Sequence, residues 1–222
     1  VAVTWPFWGS SAVVAGGART GGHAVDVSNY SGPLTPKALA AWREQHDVGL
    51  VIVQAVSPPP SYPPSQTRAQ LEACAAAGIA TDVYVYLWTT SNVEADIGAE
   101  LALLDGLEHL VGRVWLDCED VTTAAPSMRL DAVRRGLAVT DAWCAAHGVP
   151  RTGIYSGRWW WEAYLGDPHE FTDRLLWVSQ YDLVDDTTEF SEFGGFTSCA
   201  IKQYSGSATL AGVTGVDLDV LA

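Results

Sequence analysis

The feature that most constrains this chain is GLVIVQAV at residues 49–56, an apolar run interrupted only by Gln54. Strict apolar–polar alternation would leave one face of a strand in water. A run without it predicts a strand buried on both faces, as in the parallel sheet of an α/β protein. The segments AVDVS (24–28), ATDVYVYLW (80–88), RVWLDCE (113–119), GIYSG (153–157), LLWVSQY (175–181), CAIKQYS (199–205) and VDLDVL (216–221) read as further strands. Helical patterns separate the early ones. They cover 36–45, roughly 67–77, 92–109 and 127–147. Thr35 is a natural N-cap with Pro36 at the first helical position, and Gly78 and Gly148 stop two of the helices.

Strands alternating with helices of about ten residues or more predict βαβ units. No GxGxxG or P-loop follows the first strand, so the usual reason for an open nucleotide-binding sheet is missing. The tail carries strands but little helix. The expected fold class is therefore α/β, an irregular TIM-like barrel of about five βα units followed by three less regular strands. Residues 1–23, rich in Gly, Ala and Ser, read as an N-terminal arm before a single domain over 24–222. A Pro-rich loop, SPPPSYPPS, occupies 57–65.

Composition removes several functions. A formal net charge of −14 offers no basic patch for nucleic acid. No apolar run reaches the ~18 residues of a membrane span. The N-terminus lacks a basic n-region and does not read as a signal peptide. Cys74, Cys118, Cys144 and Cys199 match no zinc spacing, and their disulfide state is open. There is no HExxH or GxSxG. Of the five histidines, His46, His109 and His147 fall at expected helix C-termini, where positive charge is favoured.

The acids remain. Asp26 lies in the first strand, Asp117 and Glu119 close the fourth, and Asp217 and Asp219 lie in the last. Residues i and i+2 of a strand share a face, so Asp117, Glu119 and Trp115 point one way while Leu116 and Cys118 point toward the helices. Paired, partly desolvated carboxyls do not both ionise easily, which supplies the protonated acid needed to cleave a glycosidic bond. Clustered carboxylates also suit Mg²⁺ or Ca²⁺. A sugar groove would use aromatic faces, and the candidates are Tyr84, Tyr86, Trp88, Tyr155, Trp177 and Tyr181, with Gln203 as a polar contact. Some of these rings must fill the barrel instead. Trp159, Trp160 and Trp161 are consecutive and cannot all face one environment.

In order, VDVSNYSG, VYVYLW, VWLDCED, GIYSG, LLWVSQYD and IKQYS…GVTGVDLDVL resemble the family 25 glycoside hydrolases from about Ala24 onward. The resemblance implies a flattened barrel and N-acetylmuramidase activity on the β-1,4 bond between N-acetylmuramic acid and N-acetylglucosamine. It implies Glu119 as catalytic acid, Asp117 as its partner carboxylate, and Asp26 and Asp217 completing the pocket; from the pairing itself we read Asp117 as the ionised member whose charge keeps the Glu119 proton in place. It implies no metal or cofactor, peptidoglycan glycan strands as the partner, and an extracellular, cell-wall or phage-associated place of action. A barrel that binds glycan within a larger assembly without cutting it would use the same residues. It would dock through residues 1–23 or Trp159–Trp161. A glycosidase for another polysaccharide would share the acids and differ in its groove.

Overall fold

Eight strands close into one barrel in chain order. They are β1 (His23–Val27), β2 (Val48–Gln54), β3 (Ala80–Tyr86), β4 (Val114–Asp117), β5 (Gly153–Ser156), β6 (Leu176–Ser179), β7 (Ile201–Leu210) and β8 (Val213–Leu221). The computed structural model describes residues 22–56, 65–90 and 92–222. The readings of 1–23 as an arm and of 57–65 as a Pro-rich loop fall almost wholly outside these residues.

Neighbours from β1 to β7 are parallel, and β8 runs antiparallel to both β7 and β1. Helices α1 (Pro36–His46), α2 (Thr67–Ala76), α3 (Val93–Leu101), α4 (Pro126–His147) and α5 (Arg158–Trp160, continuing as a π-helical turn over Trp161–Leu165) follow the first five strands. Five βα units and three strands without helices are the architecture read from the sequence.

Local signals explain the boundaries. Thr35 Oγ1 accepts the Ala38 N–H at 3.2 Å, with Pro36 as the first helical residue of α1. Gly148 ends α4 in the left-handed region at φ 69°, a conformation glycine adopts without penalty. The helical turns over Arg158–Leu165 are an addition to the four helices expected, and one expected helix differs in extent. The helix expected over 92–109 stops at Leu101 and gives way to 3₁₀ turns at Ala102–Leu104 and Glu108–Leu110. Asp105 leaves helical geometry at ψ 120° and Gly106 takes φ 79°, so the chain turns there despite its apolar spacing. His109 therefore sits in a 3₁₀ turn, whereas His46 and His147 do occupy the last turns of α1 and α4.

The barrel wall sorts side chains into two cores. Val51 and Val53 pack outward among the helices, while Leu50 and Ile52 point inward with Ala24, Tyr84, Trp115, Tyr155, Trp177 and Ile201. This is why β2 needs no polar alternation: both of its faces are dry. All four cysteines are buried free thiols.

The inner core depends on one glycine. Gly153 pairs in register with Trp115 across β4 and β5, and a Cβ on it would collide with the indole. The space so released lets Trp115 Nε1 donate to Asp82 Oδ2 at 3.0 Å inside the barrel. Gly153→Ala should therefore destabilise the fold by about 1–3 kcal/mol, the usual range for overpacking a tight core. Urea unfolding would show it as a lower midpoint at unchanged slope. An unchanged midpoint would mean that Trp115 has room to move.

Candidate active site

The inward face of the barrel becomes polar toward the C-terminal ends of its parallel strands. Asp26 on β1 stands in register with Asp217 on β8, and Asp117 on β4 is level with Tyr86 on β3 and Tyr155 on β5. Glu119 lies two residues beyond β4. The Cys118 N–H still donates to the Tyr155 carbonyl at 2.9 Å, so the ladder pattern continues past Asp117. Leu116 and Cys118 consequently pack outward among the helices. Glu119 stays within electrostatic reach of Asp117, Asp26 and Asp217.

Gln203 joins the two walls. Its Oε1 accepts the hydroxyls of Tyr155 at 2.7 Å and Tyr181 at 2.8 Å. Its Nε2 donates to Asp26 Oδ2 at 2.6 Å and to Asp217 Oδ2 at 3.2 Å. Two hydroxyl donors on one side and two acids on the other fix which way the amide points. Asp217 is held again by the Ser207 N–H on Oδ1. Below it on β8, fully buried Asp219 accepts Trp177 Nε1 at 2.7 Å and hydrogen-bonds Asp26.

Burial dominates the electrostatics. It pushes Asp26 up to about 8, with the charge of Asp217 adding to it and the Gln203 hydrogen bond opposing it. Asp117 rises well above the ordinary carboxyl range through burial and then through Glu119, and Asp219 does so through burial and then through Asp26. Glu119 is raised by burial and by Asp217; Asp217 is raised by burial, against the Ser207 N–H. No N–H or O–H among the described residues donates to Asp117 Oδ1 or Asp219 Oδ2, which favours a proton over a charge on each. This corrects one expectation. Asp117, assigned from the sequence as an ionised partner, is the more deeply buried of the pair and the more reluctant to ionise. Glu119 is the member that reaches solvent. Among the described residues, no group of three or more His, Cys, Asp and Glu is arranged to hold a metal ion.

The profile of glycosyl hydrolases family 25 matches residues 25–213, which contain Asp26, Asp117, Glu119 and Gln203, while Asp217 and Asp219 lie just beyond its end. The chain belongs to that family. A family 25 relative from Dictyostelium discoideum, probable GH family 25 lysozyme 3, is 28% identical over 208 residues, 89% of this chain and 40% of its own length. The chain thus spans well under half of that relative. The solved GH25 lysozyme from Aspergillus fumigatus superposes with a TM-score of 0.70 at 15% identity, covering 91% of this chain and 94% of that one. The modular autolysin LytC from Streptococcus pneumoniae, solved with a synthetic peptidoglycan ligand, superposes with a TM-score of 0.68 at 18% identity, covering 90% of this chain and 46% of that one. At these identities the structural likeness is one of fold.

In this family 25 chain the aromatics divide by depth. Tyr84, Tyr155 and Trp177 are buried, with Trp177 packed on both tyrosines at ring distances of 6.0 and 4.4 Å. With Gln203 they form the floor and frame of the site, not a surface for a sugar. Tyr86 is half-buried and packs against Trp88 with ring centres 4.5 Å apart and planes tilted by 54°. Trp88 (49% exposed) and Tyr181 (59%) do present their faces. So does Trp159 (49%), whereas Trp160 and Trp161 are fully buried, which reduces the expected Trp159–Trp161 surface to one ring. The exposed Tyr30, Trp88, Val121, Trp159, Tyr181 and Leu183 all follow the C-terminal ends of strands, around the mouth that holds the acids. Asp219 is a member of the carboxyl cluster that the sequence reading left out of the site. It shares a strand face with Asp217, the same two-residue signal that picked out Asp117 and Glu119.

The raised acids carry a stability consequence. Asp26 moves from 3.8 to about 8 and buried Glu100, which accepts the Tyr86 N–H, from 4.5 to about 8. Between those values the folded protein binds more protons than the unfolded chain, so stability falls as pH rises. The contribution is complete below the unfolded values and is lost as pH passes the folded ones. Calorimetry should show Tm declining from about pH 5 to about pH 8, and Asp26→Asn should flatten the decline and raise Tm at the upper end. A Tm that rises over this window would contradict the assignment.

Proposed function

We propose that this chain is a peptidoglycan hydrolase of the N-acetylmuramidase type, cutting the β-1,4 bond between N-acetylmuramic acid and N-acetylglucosamine outside the cell. The observation that carries the reading is Glu119, a half-open carboxyl with a raised pKa. It stands at the mouth of a barrel otherwise closed by buried acids and is ringed by exposed aromatic faces. Membership of glycosyl hydrolases family 25 supports it. So do the relatives described as lysozymes, and the autolysin solved with a synthetic peptidoglycan ligand.

In this reading Glu119 gives its proton to the glycosidic oxygen as the bond to the sugar carbon breaks, and water completes the hydrolysis. Asp117 lies behind it and shares the proton economy of the pair. Asp217, part-exposed on β8, faces the reacting sugar and supplies negative charge opposite the positive charge that develops on its ring, while Asp26 beside it on β1 keeps its proton up to about pH 8. Gln203 keeps those two acids and the Tyr155 and Tyr181 hydroxyls in place. Trp88, Tyr181 and Trp159 offer flat apolar faces to the sugars on either side. With a net charge of −14 the protein has no long-range attraction to an anionic wall, so binding rests on these short-range contacts.

Glu119→Gln should lower turnover on purified cell walls by about 10²–10⁴-fold, the usual worth of a general acid, while leaving the fold and Tm intact. Mass analysis of the wild-type digest should show new reducing ends at N-acetylmuramic acid. Wall binding without product would instead make this a glycan-binding barrel, and products from chitin alone would make it a different glycosidase.

The pH profile gives a second check. Because the Asp217 charge helps hold the Glu119 proton, Asp217→Asn should move the alkaline limb of kcat/KM to lower pH. An alkaline limb that stays in place would remove Glu119 as the titrating acid.

A further inference from the structure

We propose that Asp120 is a positioning residue for Glu119, tying the loops after β3, β4 and β5 into one rigid rim so that the neighbouring acid meets its substrate in a fixed place. The proposal rests on the reading of Glu119 as the proton donor. Glu119 needs such a support because it has left the sheet. β4 ends at Asp117, and no regular element begins again until Pro126.

The support is built on both flanks. On one side the Ser156 hydroxyl donates to the Cys118 carbonyl at 2.7 Å. On the other, Asp120 is buried, and its carboxylate receives four hydrogen bonds. The Thr89 N–H and O–H reach Oδ2 at 2.8 and 2.6 Å, the Thr122 O–H reaches the same oxygen at 3.0 Å, and the Thr122 N–H reaches Oδ1 at 3.1 Å. The Asp120 carbonyl accepts Trp160 Nε1 at 2.9 Å. Arg129 from α4, also buried, donates to the Thr122 and Tyr164 carbonyls. Unlike the acids inside the barrel, Asp120 is held low: burial works to raise it, but the Thr89 and Thr122 donors outweigh burial. It is thus a fixed charge in a saturated cradle, facing away from proton chemistry.

The connectivity sets its role. Thr89 adjoins Trp88, Asp120 adjoins Glu119, and Trp160 adjoins Trp159. The buried Asp120 carboxylate therefore locks the backbone beside the proposed acid to the residue after Trp88, and the Asp120 carbonyl ties it through the Trp160 indole to the residue after Trp159. Loss of a donor would leave the groups present but free to drift, and small misplacements cost rate more than they cost binding.

Thr89→Val removes one donor without changing any charge or much volume, and Thr89→Ser keeps that donor. Two readouts are taken on the whole chain: kcat and KM on solubilised wall fragments, and the pKa of the Glu119 carboxyl by ¹³C NMR titration. Thr89→Val should lower kcat by about tenfold or more with KM within about twofold, and should displace the Glu119 titration. Thr89→Ser should match wild type in both. Equal behaviour of the two variants, a change in KM alone, or a Glu119 titration that superimposes on wild type in Thr89→Val would overturn the proposal. Asp120→Asn sets a donor against the Thr122 N–H and should repeat the kcat loss; full activity in that variant would equally overturn it. Should the wild type cut no glycan, the reading of function fails, while the titration still decides whether Thr89 and Asp120 hold Glu119.

Discussion

The carboxyl cluster inside this barrel depends on one amide. Gln203 takes two tyrosine hydroxyls on its oxygen and gives two hydrogen bonds to acids from its nitrogen. The four partners come from β1, β5, β8 and the segment after β6. An ionised side chain in its place would either repel the acids or attract them too strongly, and an apolar one would take a hydrogen bond from each of four polar groups. A buried network of this kind is worth having only when every member is satisfied, and Gln203 is the member that satisfies the rest.

The network also shows how the chain tolerates so many buried acids. Cations do not neutralise them. Fully buried Lys202, next to Gln203 but on the other face of β7, donates to Asp182 at 2.8 Å and to the Asp186 carbonyl at 3.1 Å, and so holds the loop that begins at Tyr181. Buried Arg129 serves backbone carbonyls. The acids inside are left to hold protons, because burial makes their charged forms costly. A site that keeps exchangeable protons ready at neutral pH is suited to acid catalysis, and it gives up stability for that readiness.

Much of this is legible in the sequence because strand geometry is simple. A period of two places Asp117 beside Glu119 and away from Cys118, and an unbroken apolar β2 implies helices outside and packing inside. The same period could not separate rim from floor. Tyr84, Tyr86 and Trp88 lie on one line, and only the point where β3 ends decides that Tyr84 fills the barrel while Trp88 meets solvent. The greater burial of Asp117 than of Glu119 was hidden for a related reason, since depth along the barrel axis is invisible in a one-dimensional pattern. The split after α3 turned on backbone conformation at Asp105 and Gly106, which apolar spacing does not report. Asp219 carried the same two-residue signal as Asp117 and Glu119, but its importance depends on the Trp177 indole from across the barrel.

The central claim is that a glycan strand lies across this mouth with its scissile oxygen at Glu119. The most direct measurement is a crystal structure of the Glu119→Gln variant soaked with a peptidoglycan fragment of at least four sugars. A bridging oxygen within about 2.6–3.2 Å of the residue 119 side chain, with flanking sugars on Trp88 or Tyr181, is the predicted result. A fragment seated away from the carboxyl cluster, or one whose bridging oxygens all lie beyond reach of residue 119, would contradict the account.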